Sequence, residues 1–154
     1  MGLFNFWKAS SFFTAEQLAQ ISQAVKTAEG ETSGEIRVHI EKRVSGDVLD
    51  RAAWIFNKIG MQKTAERNGV LFYLALRNRK FAVIGDSGIH AKVPDGFWDS
   101  VKDAMEADFR ESRFTEGLVK GILMAGDKLR EHFPHKSDDV NELSDEVSFG
   151  KPGK

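Results

Sequence analysis

The sequence predicts an α/β fold, a three-layer α/β/α sandwich in which a small mixed central sheet is flanked by about four main helices. Residues 35–44 alternate apolar and polar side chains between two helix-like segments, and this alternation is typical of a strand. Two apolar runs, 70–76 and 81–84, are separated by a short polar break, which predicts a hairpin. A strand–helix–strand unit makes the first two strands parallel with a right-handed crossover, and the hairpin adds an antiparallel strand.

The helices are predicted from their capping residues and from the spacing of their apolar residues. Thr14 is expected to cap the first helix, with Gln17 at the reciprocal position of a capping box. Asp47 is expected to cap the second helix. The third is expected over about residues 96–112, and Thr115 is expected to cap the fourth.

The two kinds of strand differ in their expected burial. The run 70–76 is apolar on both faces and is therefore predicted to lie in the interior of the sheet. The segment 35–44 has one apolar face and one polar face, so it is expected nearer an edge with the polar face partly wet. His39 lies on that polar face and is expected to be a surface residue.

Composition divides the chain into three parts. Residues 1–13 form an aromatic N-terminal segment, and residues 14–136 form the α/β/α domain. Residues 137–154 are polar and acidic and end in Gly and Pro, so disorder is the expected state of this tail. The alternative is a tail that docks through Val147 and Phe149.

Bulk properties restrict the possible functions. The length of 154 residues suits one domain, and a monomer is expected. The net charge of −1 gives no basic excess, so no nucleic-acid partner is expected. Without cysteine the chain has no disulfide, thiolate zinc site or cysteine nucleophile. No apolar run approaches the ~20 residues that span a bilayer, and no signal peptide is recognisable, so a cytoplasmic location is expected.

The N-terminal segment is unusually aromatic. One interpretation is that it docks on a protein partner or a membrane surface, and the other is that its rings fold back over the helices. The aromatic residues concerned are Phe4, Phe6, Trp7, Phe12 and Phe13.

Oxygen-bearing side chains are expected to meet at one rim of the sheet. Glu35 opens the first strand, Asn68 precedes the second, Asp86 follows the antiparallel third, and Asp95 lies in the next loop. Carboxylate and amide oxygens suit a hard divalent cation, calcium or magnesium, so these four residues are the predicted metal ligands. The structural alternative is that Asp95 caps a helix and that Asp86 satisfies amides of a turn.

Glycine, asparagine and aspartate recur at fixed spacing through the second half of the chain. The pattern resembles the TPM domain family, which includes phosphatase-like proteins of chloroplasts and bacteria, over roughly residues 14–133. The residues that carry the resemblance are Asn68-Gly69-Val70-Leu71, Arg79, Ile84-Gly85, Gly88 and Asp95, followed by Phe109-Arg110 and Gly117-Leu118.

The resemblance implies the same α/β/α fold and two competing functions. Some family members are described as acid phosphatases, which implies a metal-dependent phosphomonoesterase whose rim carboxylates hold the metal or act as acid and base. Other members act in complex assembly or repair, which implies a non-catalytic adaptor. No nucleophile or phosphate-binding arginine is recognisable at the rim, so no catalytic residue is assigned.

Overall fold

The order of elements follows the sequence prediction, with two additions: a short helix directly after the third strand and a short strand near the C-terminus. A computed structural model describes residues 12–136 and 147–150. The elements are α1 (Ala15–Glu29), β1 (Glu35–Glu41), α2 (Val48–Lys58), β2 (Gly69–Ala75), β3 (Lys80–Gly85), α3 (Ser87–Lys92), α4 (Asp99–Arg110), α5 (Phe114–Leu129) and β4 (Ser148–Phe149).

The sheet is mixed and has the strand order β3-β2-β1-β4. Strand β1 is parallel to β2, with Glu35 opposite Gly69, and β3 is antiparallel to β2, with Val70 opposite Gly85. The α/β sandwich with residues 70–76 in its interior is therefore confirmed. Strand β1 has neighbours on both sides, because β4 pairs with its outer edge.

Two of the predicted caps are present and one is not. Thr14 and Gln17 form the predicted capping box, with reciprocal hydrogen bonds of 3.0 and 2.9 Å. Asp47 accepts a 2.7 Å hydrogen bond from the amide of Leu49 and caps α2 as predicted. The prediction for Thr115 is wrong, because α5 begins at Phe114 with Arg113 at the cap position, and Thr115 is buried within its first turn.

Each face of the sheet covers its own apolar core. Helices α1, α4 and α5 pack on one face, against residues such as Ile36 and Phe72. Helix α2 covers the other face, against Leu71 and Tyr73. The alternating residues of β1 are divided between these two faces, so its polar residues point towards α2 rather than into solvent.

Part of the C-terminal tail is docked on the sheet. Ser148 and Phe149 pair in parallel with β1, and both Val147 and Phe149 pack against the larger core. The expectation of disorder over residues 137–154 does not hold at residues 147–150, where the docked alternative is found. Residues 1–11, 137–146 and 151–154 lie outside the described part of the chain, as does most of the aromatic segment.

Within the described ranges, the helices are all too short or too polar to cross a lipid bilayer.

Candidate functional site

The strand ends meet at one rim of the sheet, as the topology predicts. Glu35 and Asn68 are both buried, and the amide of Glu35 donates a 3.3 Å hydrogen bond to the carbonyl of Asn68. The side-chain amide of Asn68 donates to the carbonyl of Ser33 at 3.3 Å. The amide of Asp86 donates to the carbonyl of Gly69 at 2.9 Å, which brings the end of β3 to the same rim.

The carboxylate of Asp86 already has a cationic partner. Arg67 donates two hydrogen bonds to it, Nε to Oδ2 at 2.7 Å and Nη2 to Oδ1 at 2.9 Å. Oδ1 also accepts from the amide of Ser87 at 2.7 Å, so that Asp86 caps the short helix α3. These contacts raise the pKa of Arg67, with the hydrogen bond to Asp86 as the largest cause.

The fourth predicted ligand, Asp95, lies in the loop between α3 and α4. It is exposed and lines a cavity of about 210 Å³ together with His90 and Phe97. It does not cap α4, whose first helical residue follows Trp98 without a side-chain hydrogen bond. Across residues 12–136 and 147–150, no three His, Asp or Glu side chains are close enough to hold a metal ion. The predicted donor set includes the amide of Asn68, which is not counted in such a group, so the rim cation stays a prediction.

A second polar cluster lies at the opposite end of β1. We call it the Glu41 cluster, and it comprises Glu41, His39, Tyr73 and Arg51. The hydroxyl of Tyr73 donates to Oε1 of Glu41 at 2.6 Å, and Arg51 donates through Nε at 3.0 Å and Nη2 at 2.6 Å. The His39 Nε2 lies 3.4 Å from Oε2 of the same carboxylate. Glu41, His39 and Tyr73 are each no more than 4% exposed.

The local fold explains how this cluster assembles. His39 and Glu41 are two residues apart on β1 and therefore share the face that α2 covers. The parallel register places His39 opposite Tyr73, and their rings stack with centroids 6.1 Å apart. Arg51 lies in the first turns of α2, which begins close to the end of β1.

Glu41 is ionised despite its burial. Burial alone raises the pKa of this carboxyl, but hydrogen bonds from His39, Arg51 and Tyr73 outweigh that effect and lower the pKa to about 2. Conversely, burial and the hydrogen bond to Glu41 raise the pKa of the Tyr73 hydroxyl. A buried negative charge is tolerated here because several donors and one fixed guanidinium compensate it.

A pocket of about 200 Å³ opens above this cluster, between α2 and β4. We call it the Trp54 pocket. The indole of Trp54 is 51% exposed, with the guanidinium of Arg51 4.7 Å and the Lys58 ammonium 5.2 Å from its ring centroid. The residues lining this pocket include Glu41, Arg51, Trp54, Lys58, Phe149 and Gly150.

The docked tail forms one wall of the Trp54 pocket. Gly150 donates a 3.0 Å hydrogen bond from its amide to the carbonyl of Ile40. It lies directly over Glu41, because a Cβ atom added to Gly150 would be 2.5 Å from Oε2 of the carboxylate. A larger residue at this position would require the Glu41 side chain or the tail to shift.

Ser148, His39 and Glu41 form a serine–imidazole–carboxylate chain, but its geometry is that of a structural contact. The Ser148 Oγ lies 2.7 Å from Nδ1 of His39 and also 3.2 Å from the backbone carbonyl of Val38, to which it can donate. Glu41 already accepts from Arg51 and Tyr73, and Ser148 does not line the Trp54 pocket. A nucleophile needs access to substrate, so we assign this serine to holding the tail.

Sequence reasoning missed the Glu41 cluster because it assigned the polar face of β1 to solvent. The expectation that His39 is a surface residue is wrong, since His39 is 4% exposed. One signal was present: Tyr73 is the single hydroxyl-bearing residue in the apolar run 70–76. A buried tyrosine hydroxyl needs a partner, and the parallel register supplies it from β1.

The mixed four-stranded sheet and the helices on its two faces define an α/β/α domain. Residues 8–128 match the model of the TPM domain family, and the chain belongs to that family. No curated protein sequence matches it.

Three solved structures share the fold. The NMR structure of BA42 from the psychrophilic bacterium Bizionia argentinensis is 44% identical, has a TM-score of 0.87, and the match covers 94% of this chain and 99% of that one. The N-terminal domain of a protein from P. gingivalis is 21% identical, with a TM-score of 0.67 and 83% of each chain covered. The N-terminal domain of cg2496 from Corynebacterium glutamicum is 12% identical, with a TM-score of 0.62 and coverage of 90% and 82%.

Proposed function

We propose that this TPM-domain protein is a non-catalytic binding module, and that a protein partner inserts a side chain into the Trp54 pocket. The observation that carries the proposal is the half-exposed indole of Trp54, which is fixed against Arg51 above a buried, ionised Glu41. Tryptophan and arginine are the residues that most often dominate binding energy in protein interfaces. Their combination in one concave site favours recognition of a partner.

The Glu41 cluster supports this proposal because it preorganises the pocket. Arg51 has two of its nitrogens committed to Glu41, which holds its guanidinium plane beside Trp54 before any partner arrives. Fixing these side chains in advance lowers the entropy lost on binding. Burying a carboxylate costs desolvation free energy, and this cost is more easily understood in a binding site than in a purely structural core.

The charge of the pocket favours an anionic partner group next to an aromatic or apolar one. Arg51 and Lys58 outnumber Glu41, and the exposed indole of Trp54 gives the pocket an aromatic wall. A carboxylate near Lys58 with a ring against Trp54 would use both features. A C-terminal aromatic residue, or an aromatic residue beside an acidic one, has this chemistry.

The simplest test uses small probes of matched shape. N-acetylphenylalanine is anionic and aromatic, its amide is neutral, and phenethylamine is cationic. We expect the first to shift the Trp54 indole N–H resonance saturably, the second to do so several-fold more weakly, and the third not to bind. The buried Trp98 serves as an internal control. Equal shifts at both indoles, or no shift at Trp54 with any probe, would contradict a binding pocket.

A rim cation and phosphomonoester hydrolysis, which the family resemblance implied, remain predictions. So do a cytoplasmic location, a monomeric state and the docking of the aromatic N-terminus. Hydrolysis is tested with p-nitrophenyl phosphate, with and without calcium or magnesium, in the wild type and in Asp86→Ala and Asp95→Ala. The binding-module proposal expects no activity that these substitutions remove, whereas a metal-dependent hydrolase loses its activity in both variants.

A further inference from the structure

The edge of β1 that β4 covers has the properties of a peptide-docking groove. We propose that this edge binds an extended segment of a partner protein, and that residues 147–150 occupy it in the free chain as a displaceable internal ligand. The inference rests on the binding function proposed above and names the partner's chemistry, because the docked segment also forms one wall of the Trp54 pocket.

The groove recognises the hydroxyl of Ser148. Its Oγ lies 2.7 Å from Nδ1 of the buried His39 and 3.2 Å from the carbonyl of Val38. Both groups belong to β1, which β2 also holds from its other side over seven paired residues. A peptide with serine or threonine at this position would place its hydroxyl against both groups and donate its single proton to one of them.

The next two positions require different chemistry. Phe149 packs its ring against the larger core and lines the Trp54 pocket. Gly150 lies over the Glu41 carboxylate, where an added Cβ would be 2.5 Å from Oε2 and 2.6 Å from Cγ. The groove therefore selects a hydroxyl residue, an aromatic residue and a glycine in succession, a pattern more specific than backbone pairing alone provides.

The segment that fills the groove is short enough to be displaced. It pairs with β1 at two positions, whereas β2 pairs with β1 at seven. It is also the outermost strand of the sheet. Once it leaves, the open edge of β1 is a template for another strand. The Glu41 carboxylate beneath it would also be exposed, so a replacement strand would restore a covered, low-dielectric site.

Because the tail belongs to the same chain, it competes with any peptide at a high effective concentration, on the order of millimolar for linked binding segments. A free peptide should therefore bind the wild-type chain weakly. A partner that also fills the Trp54 pocket has the additional contact needed to displace the tail.

The test releases the tail in the full-length chain and offers the groove a peptide in its place. In Gly150→Val the side chain collides with Glu41, so the tail should detach and the amide resonances of His39 and Ile40 should shift. A fluorescein-labelled peptide with the sequence of residues 145–152, DEVSFGKP, is then titrated by fluorescence anisotropy. We expect saturable binding to Gly150→Val, at least tenfold tighter than to the wild type. The same peptide with valine in place of its glycine is the matched control and should not bind.

Each other outcome has a defined meaning. Tail release without peptide binding overturns the groove. If N-acetylphenylalanine still shifts the Trp54 resonance in the wild type, the proposed binding function survives alone. Unchanged resonances at His39 and Ile40 in Gly150→Val overturn the glycine requirement. Phe149→Ser is a second way to release the tail, without added bulk. If both variants unfold, the tail belongs to the core and is not displaceable. If the peptide binds but no small probe does, the groove stands and the Trp54 pocket fails.

Discussion

The Tyr73 hydroxyl donates a 2.6 Å hydrogen bond to Oε1 of Glu41, and the two residues are 1% and 2% exposed. This contact joins the central strand β2 to the end of β1 on the face that α2 covers. It connects the apolar core to the charged cluster beneath the Trp54 pocket. A change at either residue should therefore affect both the stability of the domain and the geometry of the pocket.

Tyr73→Phe should lower the free energy of unfolding by about 2 kcal/mol, since hydrogen bonds to charged groups contribute roughly 1.5–3 kcal/mol. The ring and its packing stay, so the loss reports the hydroxyl. Urea unfolding at pH 7 measures the change. In a Glu41→Gln background the same substitution should have a clearly smaller effect, because its charged acceptor is gone. Equal effects in both backgrounds would contradict a direct interaction.

The stability of the domain should fall with acid in a way that depends on Glu41. Its pKa is lowered from 4.5 in the unfolded reference to about 2 when folded, so its contribution is complete above about pH 4.5. The contribution is lost as pH falls towards 2, and linkage makes it about 3 kcal/mol at neutral pH. Thermal melts of wild type and Glu41→Gln should therefore differ most at pH 7 and converge near pH 2.

Asp108 also makes the stability of the domain sensitive to acid. Burial raises the pKa of its carboxyl, but hydrogen bonds from Lys120 and Arg113 outweigh burial and lower the pKa. Asp108 is present in both the wild type and Glu41→Gln, so its effect cancels in the difference between their melting temperatures. If the difference in melting temperature between the two proteins stays constant from about pH 7 to about pH 2.5, Glu41 is not held ionised by its partners.

Sequence patterns predicted the elements whose determinants are local. The capping box of Thr14 and Gln17 depends on residues three apart, and the burial of residues 70–76 follows from their composition. The Glu41 cluster depends on residues that the fold brings together from three elements. Period-two alternation cannot distinguish a polar face in water from a polar face whose charges are paired, and His39 shows the difference.

The C-terminal tail shows a second limit of structure prediction from sequence. Two residues of strand carry almost no propensity signal, and the surrounding sequence is polar. Ser148 and Phe149 pair with β1 more than a hundred residues earlier in the chain. This contact requires the buried His39 and Glu41 to be in place beside the tail. The sequence alone could therefore offer docking as an alternative to disorder, but it could not decide between the two.

A cation at the rim, if it binds, must compete with Arg67 for Asp86. Both carboxylate oxygens accept hydrogen bonds from this guanidinium, at 2.7 and 2.9 Å. Calcium should therefore raise the melting temperature of Arg67→Gln more than that of the wild type, since ligands that bind only the folded state stabilise it by mass action. In Arg67→Gln combined with Asp86→Asn the rise should disappear. A flat response to calcium in all three proteins would overturn the rim site.

The capping box gives a local prediction that leaves the site untouched. Thr14→Ala removes the 3.0 Å hydrogen bond to the amide of Gln17 and should cost about 1 kcal/mol. Thr14→Ser keeps the hydroxyl and is the matched control, with little expected loss because serine caps helices at least as well as threonine. Urea unfolding of the three proteins measures both values. Equal losses in the two variants would show that the methyl group of Thr14, rather than its oxygen, stabilises α1.

Two truncations define the role of the docked tail. A chain that ends at residue 146 loses β4, the partly buried ring of Phe149 and the glycine that covers Glu41. A loss of roughly 2 kcal/mol from this apolar burial should lower the melting temperature by roughly 4–8 °C for a domain of this size. A chain that ends at Gly150 keeps every described contact of the tail and should melt like the wild type.

Removal of the tail should cost less stability in Glu41→Ala than in the wild type, because Gly150 lies against the Glu41 carboxylate and the variant has already lost that contact. Melting temperatures of the four proteins in this cycle measure the coupling between Glu41 and the tail. Additive effects would show that the tail is held by the edge of β1 alone. If both truncated chains melt like the wild type, β4 does not contribute to the stability of the domain.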